Sequence, residues 1–391
     1  MINANDFALT ERDVERKREL GIILKEIHRN IPSISIDTSK VGNHEIRKGF
    51  MGDSKLKRLI IYLRSSGCQW MLTDENGGCT MCGHLAGTTC GKAITAAEFQ
   101  AQFESIISKY VYTSIPTVCV YNAGSFFNDN EVPAAAREYI FRRLDSISEI
   151  KHVIFESRPE HLTEDKIMAM RNLLPGKRIE IGIGLESSDE YIRQMCLNKG
   201  FRVTDFLMAI TLLKRYGVYS IAYVIHKPPF VAESTAIYNS IRTIKWAFQN
   251  GVDVISLEPL SVQKNTLVHL LYSINAFRPP WVWSVLQVVS QTGNLGVVRI
   301  GGFEFFPPPA VCTHNCISCD EFCANSIERY NATSDLDIIS AALAMQCTCK
   351  FDWLQELKKE KPIKEAIDDF LSSLNFEQIP ALLQNELRNF Q

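Results

Sequence analysis

Cys68, Cys79 and Cys82 fall in one glycine-rich stretch, SSGCQWMLTDENGGCTMCGHLAG (65–87), directly after the apolar run RLIIYL (58–63). Three thiolates spaced Cys-x10-Cys-x2-Cys are an odd set. They can hold three irons of a [4Fe-4S] cluster and leave the fourth iron open to a ligand from outside the chain. S-adenosylmethionine (SAM) suits that position. Its amino and carboxylate groups chelate an iron, and one electron then cleaves the sulfonium to a 5'-deoxyadenosyl radical, chemistry that a cofactor carries while the protein orients it. Zinc competes, with the three cysteines and His84 as a tetrahedral set.

Cys312, Cys316, Cys319, Cys323, Cys347 and Cys349 form a second group far downstream. Four of them, Cys316, Cys319, Cys347 and Cys349, would close a tetrahedral structural zinc site and tie the carboxyl-terminal segment down. A second [4Fe-4S] cluster drawing on Cys312 and Cys323 is the alternative, and His314 can replace a ligand in either case. Cys90, Cys119 and Cys196 stand apart and read as inert packed thiols, since free cysteine behaves as a small hydrophobe.

The elements that must position these groups alternate. RLIIYL (58–63), TVCVY (117–121), HVIFES (152–157), RIEIGIGLE (178–186), YSIAYVI (219–225), DVISLEPL (253–260) and VVRIG (297–301) read as short apolar strands. Helical stretches separate them. Thr204 is a candidate cap for DFLMAITLLKRYG, which carries Phe206, Leu207, Ile210 and Leu213 on one face and stops at Gly217; STAIYNSIRTIKWAFQNG stops at Gly251. Apolar strands each followed by an amphipathic helix predict an α/β fold, a full or partial βα (TIM-like) barrel. Chemistry in such folds sits at strand carboxyl ends. The first cysteine group follows the first of these strands, and polar residues gather after the others, in NAGSF, ESRPEH, GLESS, HKPPF and EPLSVQKN.

Three regions follow: an amino-terminal helical extension (1–55), the barrel (56–306), and a cysteine-rich, zinc-binding, mostly helical carboxyl-terminal extension (307–391), with PPPA (307–310) at the boundary. LKKEKPIKEAIDDF reads as a solvated helical face. The composition, 46% hydrophobic and 22% charged over 391 residues, suits a large core. A net charge of -2 supplies no bulk attraction to nucleic acid. The charged amino terminus is no secretory signal, and no run of about 18 apolar residues marks a membrane span, so a cytoplasmic protein is expected. In that reducing compartment twelve cysteines are ligands or buried thiols before they are disulfides.

GGCTMCG, GLESSDEYIRQMCLNKGF, HKPPFVAES, VQKNTLV, RPPWVWS and HNCISCD…CTCKFDW, in this order over roughly residues 45–355, resemble the radical-SAM superfamily, in particular its Elongator-like branch and the radical-SAM subunit of archaeosine synthase. The resemblance implies a carbon–nitrogen lyase acting on a lysine adduct of a 7-deazaguanine, in tRNA or as a nucleoside, and leaving an amidine. It also implies a radical-SAM barrel, cluster ligation by Cys68, Cys79 and Cys82, and an apolar Met81 beside the last ligand. Gly124 and Ser125 stand where the superfamily's glycine motif exposes carbonyls to the SAM ammonium, although the usual acidic third residue is missing. Glu156, Arg158 and Glu186 are placed to reach ribose hydroxyls or the methionyl carboxylate, and Lys199 to bind that carboxylate. Each of these charges also reads as a strand-end group that touches only water. Substrate candidates are Lys227, Glu233, Gln263 and Lys264. Trp281 and Trp283 either stack a deazaguanine or pack in the core, while His226 and His269 read as structural. The implied partners are a low-potential electron donor and a subunit that delivers tRNA. A radical-SAM tRNA-modifying group transferase and a non-enzymatic zinc-binding interaction protein are the alternatives.

Overall fold

The computed structural model describes residues 8–31, 36–51, 54–73, 77–302 and 306–374. Eight strands form one sheet in sequence order: β1 (Asn43–Met51), β2 (Ser54–Leu63), β3 (Thr117–Asn122), β4 (His152–Glu156), β5 (Arg178–Glu186), β6 (Tyr219–His226), β7 (Val254–Pro259) and β8 (Val297–Ile300). β2 to β8 pair in parallel and follow the seven apolar runs read from the sequence, while β1 pairs antiparallel with β2. The result is a partial TIM-like barrel.

Helices α3 (Ala96–Ile107), α4 (Ala134–Asp145), α5 (Glu164–Leu173), α6 (Val203–Arg215), α7 (Glu233–Gln249) and α9 (Val282–Thr292) cover its outer face, α2 (Gln69–Leu72) lies in the loop after β2, and α1 (Glu11–Arg29) and α8 (Leu267–Ser273) pack together in a separate apolar cluster. A carboxyl-terminal set follows, α10 (Asp320–Thr333), α11 (Leu336–Ala344), α12 (Cys349–Glu356) and α13 (Ile363–Ser373). No described helix is long and apolar enough to cross a membrane.

Side-chain alternation along the strands divides the sheet into two faces. Leu59, Ile61, Val118, Val120, Val153 and Phe155 face the helices and belong to the main core. Ile60, Cys119, Ile154, Ile221 and Val254 face the opposite side with Tyr62, Tyr121 and Tyr223, and so form the lumen. At the amino-terminal end of the strands the buried Glu180 carboxylate meets His152 Nε2 at 3.2 Å and Arg178 at 3.0 Å. These partners outweigh the cost of burial and hold its pKa down at about 2.

Three local expectations are corrected. α6 starts at Val203, not after Thr204, because the Asp205 carboxylate accepts the Arg202 N–H at 2.7 Å and Val203 is itself buried. LKKEKPIKEAIDDF is not one solvated face: its second half is α13, which buries Ile367, Phe370 and Leu371 beside Leu20, Ile23 and Leu24 of α1. Full burial of such side chains contributes roughly 1.5–3 kcal/mol each. Cys90 is exposed and not packed, whereas Cys119 and Cys196 are buried as expected.

Candidate active site at the strand ends

The described parts of the stretch between β2 and α3, 65–73 and 77–88, lie over the carboxyl ends of β2 and β3, and distant residues fix their shape. Cys68 is the N-cap of α2. The next residue, Gln69, donates its backbone N–H at 2.9 Å to Glu131 Oε1, which also accepts from Asn128 Nδ2 at 2.9 Å; Glu131 Oε2 accepts the Ser125 N–H. Gly124 is obligatory at this crossing: a Cβ there would lie 1.9 Å from Glu131 Oε2 and 3.1 Å from Cys68 Cα. Farther along, Thr80 donates its hydroxyl to the Cys196 carbonyl at 2.7 Å and its N–H to the Leu197 carbonyl at 3.1 Å, and its own carbonyl accepts the Val268 N–H at 3.3 Å. Cys196 ends a π-helical turn, Ile192–Cys196, so this stray cysteine contributes its backbone and not its sulfur.

Two cations face the thiols. Arg158, after β4, lies over the Trp70 and Phe201 rings at 5.1 Å each and donates to the Lys199 carbonyl at 3.0 Å. Lys199 Nζ pairs with Glu186 Oε1 at 2.7 Å. Burial alone would lower both cations' pKa values. Glu160 with Cys79 and Cys68 outweighs it for Arg158, and Glu186 with Cys79 does so for Lys199. Glu186 is a non-glycine residue at φ 63° whose Oε2 is buried without a hydrogen-bond partner, the kind of strained, unsatisfied group that marks a site. Burial, then the charge of Glu131, pushes the Cys68 thiol up to about 12; burial, then Cys79, pushes Cys82 up to about 11.

The sequence-predicted residues separate into two sets. Cys68, Cys79, Cys82, Met81, Gly124, Ser125, Arg158, Glu186 and Lys199 come together around this loop. Glu156 faces the lumen, where it accepts the Tyr223 hydroxyl at 2.5 Å. Burial, together with Glu258 and Glu186 and against that hydrogen bond, pushes its pKa up to about 7. Gln263 and Lys264 adjoin the loop, since a Cβ on Gly83 would lie 2.8 Å from Gln263 Cβ and 3.0 Å from the Lys264 carbonyl oxygen.

The other substrate candidates are enclosed. Lys227 and Glu233 form a buried ion pair at 2.7 Å. Glu233 also accepts the Trp281 N–H at 3.0 Å, and Arg278 covers the Trp281 ring at 3.7 Å. Trp283 is fully buried and donates Nε1 to Cys349 Sγ at 3.3 Å. Packing, rather than base stacking, is therefore what the geometry gives both tryptophans. His226 is buried against Ser240 at 3.0 Å, and His269 lies in buried α8. Glu131 was missed by sequence reasoning. Its only signal was an acidic residue seven positions after Gly124, which no local spacing rule selects.

Among the described residues, Cys316, Cys319, Cys347 and Cys349 bring their sulfurs within 4.8 Å of one another. Individual separations are 3.6 Å for Cys316–Cys319, 3.5 Å for Cys316–Cys347, 3.6 Å for Cys319–Cys349 and 3.3 Å for Cys347–Cys349. Cys323 stays outside this group, with Asn315 Nδ2 3.6 Å from its sulfur.

No family model matches the chain. Among solved structures it is similar to an Elp3 of Methanocaldococcus infernus with an N-terminal deletion, at 17% identity over 61% of this chain and 59% of that one (TM-score 0.42). It is also similar to the radical S-adenosylmethionine methyltransferase TsrM of Kitasatospora setae, at 13% identity over 56% of this chain and 39% of that one (TM-score 0.39). The chain thus spans less than two thirds of either solved chain. Among curated proteins it is similar to an uncharacterized protein of Methanocaldococcus jannaschii, at 33% identity over 76% of this chain and 81% of that protein. It is likewise similar to archaeosine synthase subunit beta of Thermococcus kodakarensis, at 25% identity over 76% of this chain and 91% of the relative. The subunit beta of Methanosarcina acetivorans is 32% identical over 78% of this chain and 86% of its own length, and with that likeness the chain belongs to the archaeosine synthase subunit beta family.

Proposed function

We propose that the chain is a radical-SAM carbon–nitrogen lyase that takes a lysine adduct of a 7-deazaguanine, in tRNA or as a nucleoside, and leaves the adduct nitrogen in an amidine. The observation that carries this proposal is the meeting of three thiols with Arg158 and Lys199 at the strand carboxyl ends. Cys68, Cys79 and Cys82 do not converge as tightly as the downstream four, which suits a cluster spread over several irons better than one ion. Cys68, Cys79 and Cys82 would hold the cluster and leave one iron to SAM, and together these would supply one-electron, hydrogen-abstracting chemistry at the carbon beside the adduct nitrogen.

The chain's own residues hold and shield. Lys199 and Arg158 offset the methionyl carboxylate, the unfilled Glu186 oxygen accepts a hydroxyl or ammonium, and the Gly124–Ser125 backbone lines the same edge. Met81 keeps the last ligand's surroundings apolar, and Gln263 with Lys264 borders the substrate side. The relatives' designation as a beta subunit favours a partner subunit that delivers tRNA, because a net charge of -2 gives no bulk attraction to it. A low-potential electron donor completes the set. Cys316, Cys319, Cys347 and Cys349 hold zinc in this proposal, since a Zn–S bond of about 2.3 Å sets tetrahedral sulfurs about 3.8 Å apart, close to the separations observed.

The test is anaerobic incubation of the iron-loaded, reduced protein with SAM and an adduct deuterated beside its nitrogen. Deuterium in 5'-deoxyadenosine together with an amidine product is expected. An intact cluster that cleaves SAM yet transfers no deuterium from the adduct would exclude the lyase and favour a group transferase.

A further inference from the structure

We infer that Glu131 is a positioning residue for the cysteine loop: its carboxylate ties the backbone just after Cys68 to the turn after β3, and so sets where the Cys68 sulfur stands. This inference rests on the cluster reading above. Three donors converge on one buried carboxylate. Gln69 N–H and Asn128 Nδ2 take Oε1 at 2.9 Å each, and the Ser125 N–H takes Oε2. The residue is 2% exposed, so these donors have no water to replace it.

The tie spans 62 residues and connects the two loops that must meet at the cluster, that of the thiols and that of Gly124–Ser125. Gly124 leaves no room between Glu131 and the Cys68 backbone, so the three groups are in register only together. With both oxygens taken by protein N–H groups, Glu131 acts through Cys68 and touches no ligand itself. Partners that orient a metal's ligands typically account for about 10–100-fold in metal affinity.

Two variants cut the same tie from opposite ends. Glu131→Gln sets an NH2 against an N–H donor whichever way the amide turns, against the Ser125 N–H in one orientation and against the Gln69 N–H and Asn128 Nδ2 in the other. Gln69→Pro deletes a single N–H; proline is accepted at a first helical position, and Cys68 before it is already extended at φ -66° and ψ 127°. In the reconstituted full chain, each variant is expected to lose loop iron to a chelator roughly 10–100-fold faster than the unaltered protein, with zinc content unchanged and the fold retained. The double variant should be no faster than the faster single one. The electron paramagnetic resonance signal of the reduced cluster should also shift in both.

In iron-free chain, Cys68 should be alkylated faster in both variants, a readout that stands even if the loop holds no cluster. Wild-type iron release, signal and Cys68 alkylation in folded variants would overturn the inference. So would additive effects of the two changes. Should Glu131→Gln fail to fold, Gln69→Pro decides alone. A parent protein that binds no iron refutes the proposed function and not the Glu131 tie.

Discussion

Cys82 illustrates what a single side chain can report. Burial raises its thiol to about 11, so at neutral pH it holds a proton until a metal displaces it. Cys82→Ala should abolish 5'-deoxyadenosine formation, at least a 1000-fold loss on the order set by removing an essential catalytic group, while the four-thiol centre retains the zinc proposed for it; a visible spectrum and metal analysis of the same sample check both. The three loop cysteines were readable because they lie within 15 positions of one another. Glu131 was not, since its meaning depends on a contact across 62 residues. Lys227 and Glu233 show a related limit: a charged pair at a strand end looks open in sequence, and only packing reveals that the two are joined as an ion pair in the interior.

The parallel strands declared themselves as elements because burial on both faces leaves nearly unbroken apolar runs. β1 did not, since NHEIRKGFM mixes charges along a sheet edge. α13 was misjudged because its polar residues serve a purpose. Asp13 of α1 accepts from Arg16 at 2.8 Å, Tyr191 at 2.9 Å and Lys364 of α13 at 3.1 Å, while Asp368 of α13 pairs with Arg16. Burial by itself would raise the Asp13 pKa; hydrogen bonds from Thr10, Lys364 and Tyr191 outweigh it and hold the carboxyl well below the usual aspartate range. Its stabilising contribution is therefore complete above the ordinary aspartate value near 3.8 and fades as the pH falls below it. Asp13→Ala should cost on the order of 3 kcal/mol at pH 7. Its stability should also decline less than that of the parent between pH 5 and pH 3, as measured by denaturant unfolding across that range.

Across the whole molecule, a line of contacts joins the four-thiol centre to the barrel. Cys349 accepts from Trp283, Trp353 donates to Ser284 at 2.9 Å, Ser284 donates to Glu233, and Glu233 holds Lys227 at the end of β6. Cys349→Ser, or removal of the metal, should lower the thermal midpoint on the order of 10 °C and shift tryptophan emission to the red as Trp283 and Trp353 meet water. An unchanged emission maximum after complete metal removal would mean that the four sulfurs hold this region together unaided. Sequence order and fold class were legible at this scale because each strand pairs with its neighbours in the chain. Enclosure of RPPWVWS was not, because it requires α9 and α12 to be seen side by side.

The contacts that shape the cysteine loop, through Leu197 and Val268, lie far downstream of it. During synthesis at about 5–20 residues per second, the thiols leave the ribosome roughly ten to forty seconds before Val268 does. Iron delivered in that interval finds a loop without its walls, and an oxidant finds three bare sulfurs. For the proposed cluster, the order of synthesis thus separates the thiols from their walls in time, and a pause placed between the two segments would lengthen that interval.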